Sequence, residues 1–261
     1  MKVIISPAKK MRVDADTFIC NDLPALLPKA EVLLEYLRSL SYAEQKALWA
    51  CNDKIARENT ERFADMDLRE GLTPAILAYD GIQYATMGPA VFEDSQFNYV
   101  QQHLRILSGF YGVLRPMDGV VPYRLEMQAK ARAAGTRNLY EFWGDALYRE
   151  VMDCSGIIVN LASVEYSRCI EKYLVPNDRF ITCVFGELEQ GKVVQKGVYA
   201  KMTRGDMVRY MAEIGAEAPE QLRAFDRSSY RFDEARSTDT EYVFIRKAVP
   251  GRRRPAKACN P

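Results

Sequence analysis

The chemistry most readable in this chain is carried by cations and glycines rather than by a nucleophile. Lys2, Lys9, Lys10 and Arg12 fall within the first twelve residues with no acid among them. Arg105, Arg115, Arg124, Lys130, Arg132 and Arg137 follow against only Asp118 and Glu126. Lys192, Lys196, Lys201, Arg204 and Arg209 form a third group against Asp206. Such side chains bind phosphate by charge and by hydrogen bonding, but a charge run is more often a solvated face, so its setting decides. The second group has a setting. Leu104-Arg-Ile-Leu107 reads as the end of a helix, and Ser108-Gly109 with Gly112 supplies a tight turn. Exposed backbone N–H groups there could approach phosphates closely, with Tyr111, Arg115, Tyr123 and Arg124 as further donors. The glycines stand three apart, and Pro116 leaves barely a turn after Gly112.

A second constellation is Asn160-Leu-Ala-Ser163-Val-Glu165-Tyr166. Asn160 ends a strand, Ser163 stands where it can cap a helix, and Glu165 lies in the first turn. Free N–H groups at such a turn can hold a phosphate or carboxylate; the alternative is that Ser163 serves only as a cap and Glu165 only complements the dipole. With Asp80 or Glu165 as acid/base, the same residues could form a nucleobase or nucleotide pocket. His103, the only histidine, sits between Gln102 and Leu104 with no second histidine at i+4 and no nucleophile motif, so it reads as structural. There is no phosphate-binding loop, and Gly109-x-x-Gly112 is not a dinucleotide fingerprint, because no strand is expected before it.

The elements that must position these groups alternate in type. Lys2–Ser6 reads as a buried strand stopped by Pro7, and a helix opens at Pro28 and runs to about Leu40. Ser41-Tyr-Ala-Glu44 is a capping box, and Asn52 caps a further helix through Phe63. Pro74–Tyr79 reads as a strand, Ser95–Leu107 and Leu139–Met152 as helices, and residues 156–161 as a strand feeding a helix over Val164–Leu174. Phe180–Leu188 and Lys192–Ala200 form a hairpin, a helix covers Asp206–Ile214, and Arg231–Glu234 and Glu241–Arg246 are late strands. The expectation is an α/β chain, a single domain over residues 1–247 with a mixed β-sheet and surrounding helices.

Composition narrows the class. With 48% hydrophobic and 27% charged residues the chain can bury a core, and its apolar runs are far short of a membrane span. The N-terminus has no secretory pattern, so a cytoplasmic protein is expected, with no membrane contact. The six cysteines are scattered without a CxxC pair, which argues against disulfides and structural zinc. From Arg246 onward the chain holds six basic residues and no acid, so residues 1–245 carry −5 against +1 for the whole. Residues 248–261 read as a basic flexible tail. A polyanion would therefore need a local patch.

The run LRILSGFYGVLRPMDGVVPYRLEM, Leu104 to Met127, resembles the signature of the YaaA peroxide-stress proteins. Ile5-Ser-Pro-Ala-Lys9, Leu139-Tyr-x-Phe-Trp-Gly-Asp145, Asn160-Leu-Ala-Ser-x-Glu-Tyr166, Tyr199-Ala-Lys201-x-x-Arg204-Gly205 and Tyr242-Val-Phe244 agree, over roughly residues 1–247. The resemblance implies a helix-hairpin-helix-like element beside a basic cleft, binding to double-stranded DNA, and limitation of peroxide damage by lowering free iron, with no enzymatic activity. One histidine and no paired ligand motif make direct iron chelation unsupported, so any effect on iron is expected to be indirect, with no cofactor and no metal site. The expected DNA-contacting residues are Lys9, Lys10, Arg105, Ser108, Gly109, Tyr111, Gly112, Arg115, Arg124, Lys201 and Arg204. The alternative, a glycosylase-like enzyme, would use Asn160, Ser163 and Glu165. A monomer is favoured.

Overall fold

Three short apolar runs dictate the centre of the molecule. Lys2–Ile5 (KVII), Leu104–Ser108 (LRILS) and Ile157–Leu161 (IIVNL) are buried almost throughout, as central parallel strands must be when both sheet faces are covered. The computed structural model describes residues 1–14 and 18–247, so the basic tail expected over 248–261 lies outside the described residues. Lys2–Ile5 runs parallel to both neighbours, with Val3 opposite Leu104 on one side and Val159 on the other. Ile157–Leu161 is followed outward by Arg179–Glu189 and Glu241–Arg246, both parallel. Antiparallel partners complete a nine-stranded mixed sheet: Gly112–Leu114 on one edge, Tyr230–Phe232 and Asp226–Arg227 on the other, and Lys192–Val194 against Arg179–Glu189. Helices pack around it, and one hydrophobic core runs through the described residues.

The chain leaves Lys2–Ile5 for a partner on one side and later takes its partner on the other. A crevice outside the carboxyl ends of strands, at such a reversal, is where open α/β sheets bind ligands. Two loops meet there: residues 6–9 after the first strand and residues 162–163 after Ile157–Leu161.

Local signals placed several elements. Ser41 caps Tyr42–Trp49 reciprocally with Glu44, and the Asn52 and Asn138 side chains accept from Ile55 N and Glu141 N at 3.0 Å each. Other expectations are corrected. Pro74–Tyr79 is not a strand. Two-residue strands Thr73–Pro74 and Tyr79–Asp80 flank a helical turn, Ala75–Ala78, where alanine favours the helix and Pro74 has no N–H for a ladder. The helix expected over 95–107 starts at Asp94, is capped at Glu93 and ends at His103. The helix expected over 139–152 breaks at Gly144, whose φ of +55° is left-handed. The hairpin's second arm stops at Val194, and the helix after it begins at Gly197, running to Ile214.

The largest correction concerns the helix-hairpin-helix-like element. Leu104–Ser108 is a strand, and Gly112–Leu114 pairs with it antiparallel, so residues 104–114 form a β-hairpin within the main sheet. A strand therefore does precede Gly109, but another strand rather than a helix follows it.

His103 Nδ1 donates to the Met1 carbonyl at 2.9 Å, and the ring stacks on Tyr99. It is a structural residue. The five described cysteines are all free thiols, and Cys169 and Cys183 are buried. Among the described residues no helix is long and apolar enough to cross a membrane.

Candidate functional site

The β-hairpin disposes of its own polar groups. Ser108 Oγ accepts from Phe110 N at 3.1 Å and Tyr111 N at 2.8 Å and bonds to the Tyr123 hydroxyl at 2.6 Å. The turn N–H groups expected to face phosphates are thus consumed internally. Ser108, Phe110 and Tyr111 are fully buried. The Tyr111 hydroxyl accepts from Val121 N. A Cβ on Gly109 would stand 2.4 Å from the Leu125 carbonyl oxygen, so glycine is needed there to let residues 125–127 lie against the turn. Gly112 has a φ of +78° and abuts Trp143. Arg105 is buried, with Nη1 donating to the Gln101 and Leu104 carbonyls at the end of the Asp94–His103 helix, which is the ordinary role of a cation at a helix C-terminus. Arg115 bends toward Glu150 at 3.8 Å. None of Arg105, Ser108, Gly109, Tyr111, Gly112 and Arg115 lines the crevice.

The remaining candidates do converge. A cavity of about 340 Å³ opens at the strand ends, and its wall includes Lys9, Lys10, Arg124, Lys201 and Arg204. These cations come from three distant parts of the chain. The loop after Lys2–Ile5 brings Lys9 and Lys10, and Lys10 pairs across a two-residue ladder with Asp80. Gly81 lets that loop approach the Ile82–Met87 helix, since a Cβ there would stand 2.8 Å from Ala8 Cβ. The Gly197–Ile214 helix packs on Ile82–Met87 and carries Lys201 and Arg204. Arg124 comes from the irregular segment held against Gly109.

Asp80, Ser163, Glu165 and Tyr166 line the same cavity, so the two constellations read from the sequence occupy one site. Asn160 does not. It is buried, with Oδ1 accepting from Ala162 N at 2.9 Å and Nδ2 donating to Thr182 Oγ1 at 3.2 Å, and it shapes the turn that presents Ser163. Replacing Asn160 with alanine strands a buried N–H and should cost about 1–3 kcal/mol. Urea unfolding checks this: the midpoint falls at constant slope. Ser163 holds the cap position of Val164–Glu171, but its side chain does not cap. Its N–H donates to Ser6 Oγ at 2.8 Å, and the two hydroxyls meet at 3.2 Å.

Charges in the cavity are unequally partnered. Glu126 accepts from Lys9 at 2.8 Å and from Arg124 at 3.2 Å. Lys10, Lys201 and Arg204 pair with no carboxylate among the described residues. Burial pushes the Arg204 guanidinium below its ordinary pKa, and its Nε has no hydrogen-bond partner. Burial likewise raises Glu165, and the nearby Glu126 adds to it, against the amide of Gln128 and the charge of Lys9. Aromatic surface comes from Tyr84, Tyr123 and Tyr166. Sequence reading did not single out Ser6, Gln83, Tyr84 or Glu126 as wall residues. Among the described residues no three His, Cys, Asp or Glu side chains are grouped to hold a metal ion.

A family model described as peroxide stress protein YaaA matches residues 1–236. A UPF0246 protein of Agathobacter rectalis is 57% identical over 247 residues, covering 95% of this chain and 99% of the relative. One from Desulfitobacterium hafniense is 53% identical over 94% of this chain and 98% of its own length. Another, from Ligilactobacillus salivarius, is 50% identical over 94% and 100%.

Proposed function

The chain belongs to the peroxide stress protein YaaA family, and from that premise we propose that it protects the cell by binding the phosphate backbone of duplex DNA with its basic cleft. The observation that carries the reading is the convergence of Lys10, Lys201 and Arg204, free of carboxylate partners among the described residues, beside Lys9 and Arg124. Cations with no carboxylate in ion-pair contact favour an external polyanion, and contacts of this kind recognise charge and shape rather than sequence. The β-hairpin supports the cleft by fixing residues 123–127 and makes no contact of its own with DNA. Lowering of free iron would be a downstream consequence, because the cleft offers no ligand set for the ion.

Fluorescence anisotropy on a labelled duplex across a salt series tests this. With three phosphates engaged, affinity should fall roughly 40-fold between about 50 and 200 mM salt. Charge reversal at both Lys10 and Lys201 should weaken binding roughly tenfold or more at the lower salt. Binding that shows no salt slope, or is indifferent to the reversal, would exclude the cleft as the DNA site.

A further inference from the structure

The cavity is deeper than backbone contact requires. At about 340 Å³ it has the size of a small-molecule site, far too small to admit a duplex. A nucleotide that has left the base stack, or one free in solution, is small enough to reach its interior. Side chains of its wall carry buried polar atoms with nothing to bond. Gln83 lines the cavity at 7% exposure, and its Nε2 has no hydrogen-bond partner. Arg204 Nε and Arg124 Nε are likewise buried and unpartnered. Buried polar groups are almost always satisfied, so three orphaned donors around one cavity mark a place where a ligand's acceptors belong.

Resting on the reading of the cleft as a DNA site, we propose that it takes a single nucleotide, swung out of a strand or free in solution. Arg204 holds the phosphate of that nucleotide, and Lys201 and Lys10 are left to the phosphates on either side of it in a strand. The base lies against the rings of Tyr84 and Tyr123, and the Gln83 amide reads its edge. The chemistry of each part fits. A guanidinium stripped of water and given no carboxylate is stabilised by an entering phosphate. Aromatic faces accept any base. A glutamine amide carries both a donor and an acceptor, as base edges do. A cation site alone would explain inorganic phosphate, but not a buried glutamine with an idle amide beside tyrosine rings.

Extrusion costs least where the base is already badly paired. A labelled duplex with one central mismatch should therefore bind roughly tenfold more tightly than the matched duplex at the same salt. Gln83→Leu keeps the shape of the wall and removes the amide. It should bring the two affinities to within about threefold, and it should leave the melting temperature equal or higher, because no native hydrogen bond is lost. A glutamine with a purely structural role would instead lower the melting temperature and leave the preference intact. Equilibrium dialysis of the unmodified protein with a free nucleoside monophosphate separates the two sources of ligand. Matched and mismatched duplexes bound equally with a preserved salt slope would overturn the nucleotide proposal and leave DNA binding standing. Nucleotide binding without salt-dependent duplex binding would do the reverse, keeping the nucleotide site and removing the DNA reading. Binding of neither would remove both.

Discussion

Replacing Gly205 with alanine is expected to cost about 3 kcal/mol and to weaken DNA binding at least roughly tenfold, the largest effect of any single methyl group added to this site. A Cβ at Gly205 would stand 2.1 Å from the Gln83 carbonyl oxygen, 2.3 Å from Thr86 Oγ1 and 3.0 Å from Met87 N. Two of these are backbone atoms and cannot rotate aside. The Gly197–Ile214 helix would have to lift from Ile82–Met87, breaking the bond from Thr86 Oγ1 to the Met202 carbonyl. It would carry Lys201 and Arg204 with it, and Gln83 and Tyr84 lie on the other side of the contact. Fold and site therefore fail together. Urea unfolding and duplex anisotropy read the two effects. Gly197, at the start of the same helix, has open space around it, and its alanine variant should be neutral or mildly stabilising. Equal behaviour of the two variants would refute the close-packing account.

Much of this arrangement was legible from short-range signals. The Val3–Ile5 run, the Ser41–Glu44 box and the Asn52 and Asn138 caps all depend on neighbours within a turn, and all are present. The first and third basic groups, which taken alone read as solvated faces, supply the cavity wall with Lys9, Lys10, Lys201 and Arg204. The second group, Arg124 apart, misled because its outcome is decided at long range. Phe97, Val100, Leu104 and Leu107 fit one helical face, yet residues 104–108 extend because Val3, Ile4 and Ile5 are waiting for a ladder partner 100 residues away. Pairing with the central strand and burial on both faces outweigh local periodicity. Arg105 in an apolar run then reads as a surface charge, although it is buried at a helix end. Gln83 was invisible for a related reason: no local pattern announces that a glutamine on a six-residue helix will be buried.

Glu126 and Glu165 are held by different partners. Both lie in the cleft, but Glu126 meets two cations directly, whereas Glu165 has the amides of Gln128 and Met127, the more distant charge of Lys9 and a carboxylate neighbour. Glu126 thus brackets Lys9 and Arg124, while burial makes Glu165 easier to protonate. An entering phosphate meets less repulsion than a simple count of acids would suggest.

The strongest pH dependence should come from the misread segment itself. Asp118 is 2% exposed, and burial pushes its carboxyl up to about 7, in spite of Arg115 and Arg105 nearby and with a small further push from Asp22. Oδ2 accepts from Arg115 N at 2.8 Å, but Oδ1 has no partner. A carboxyl whose pKa is higher folded than unfolded binds its proton more tightly in the native state. Its contribution is therefore fully present below about pH 4 and is lost as the pH rises to about 7, amounting to about 4 kcal/mol. Asp118→Asn removes the titration while keeping an acceptor for Arg115 N, and its new amide hydrogens can serve the space beside the idle oxygen. The variant should match the parent near pH 4 and become progressively more stable than it up to pH 8. Other carboxylates act in the opposite sense: Asp153 is held at about 2 by Ser155, the N-terminus and Lys2, and its contribution disappears only in stronger acid. They are common to both proteins, so the difference between the two denaturation series isolates Asp118. Parallel curves from pH 4 to 8 would show that the carboxyl titrates normally and that its idle oxygen is solvated.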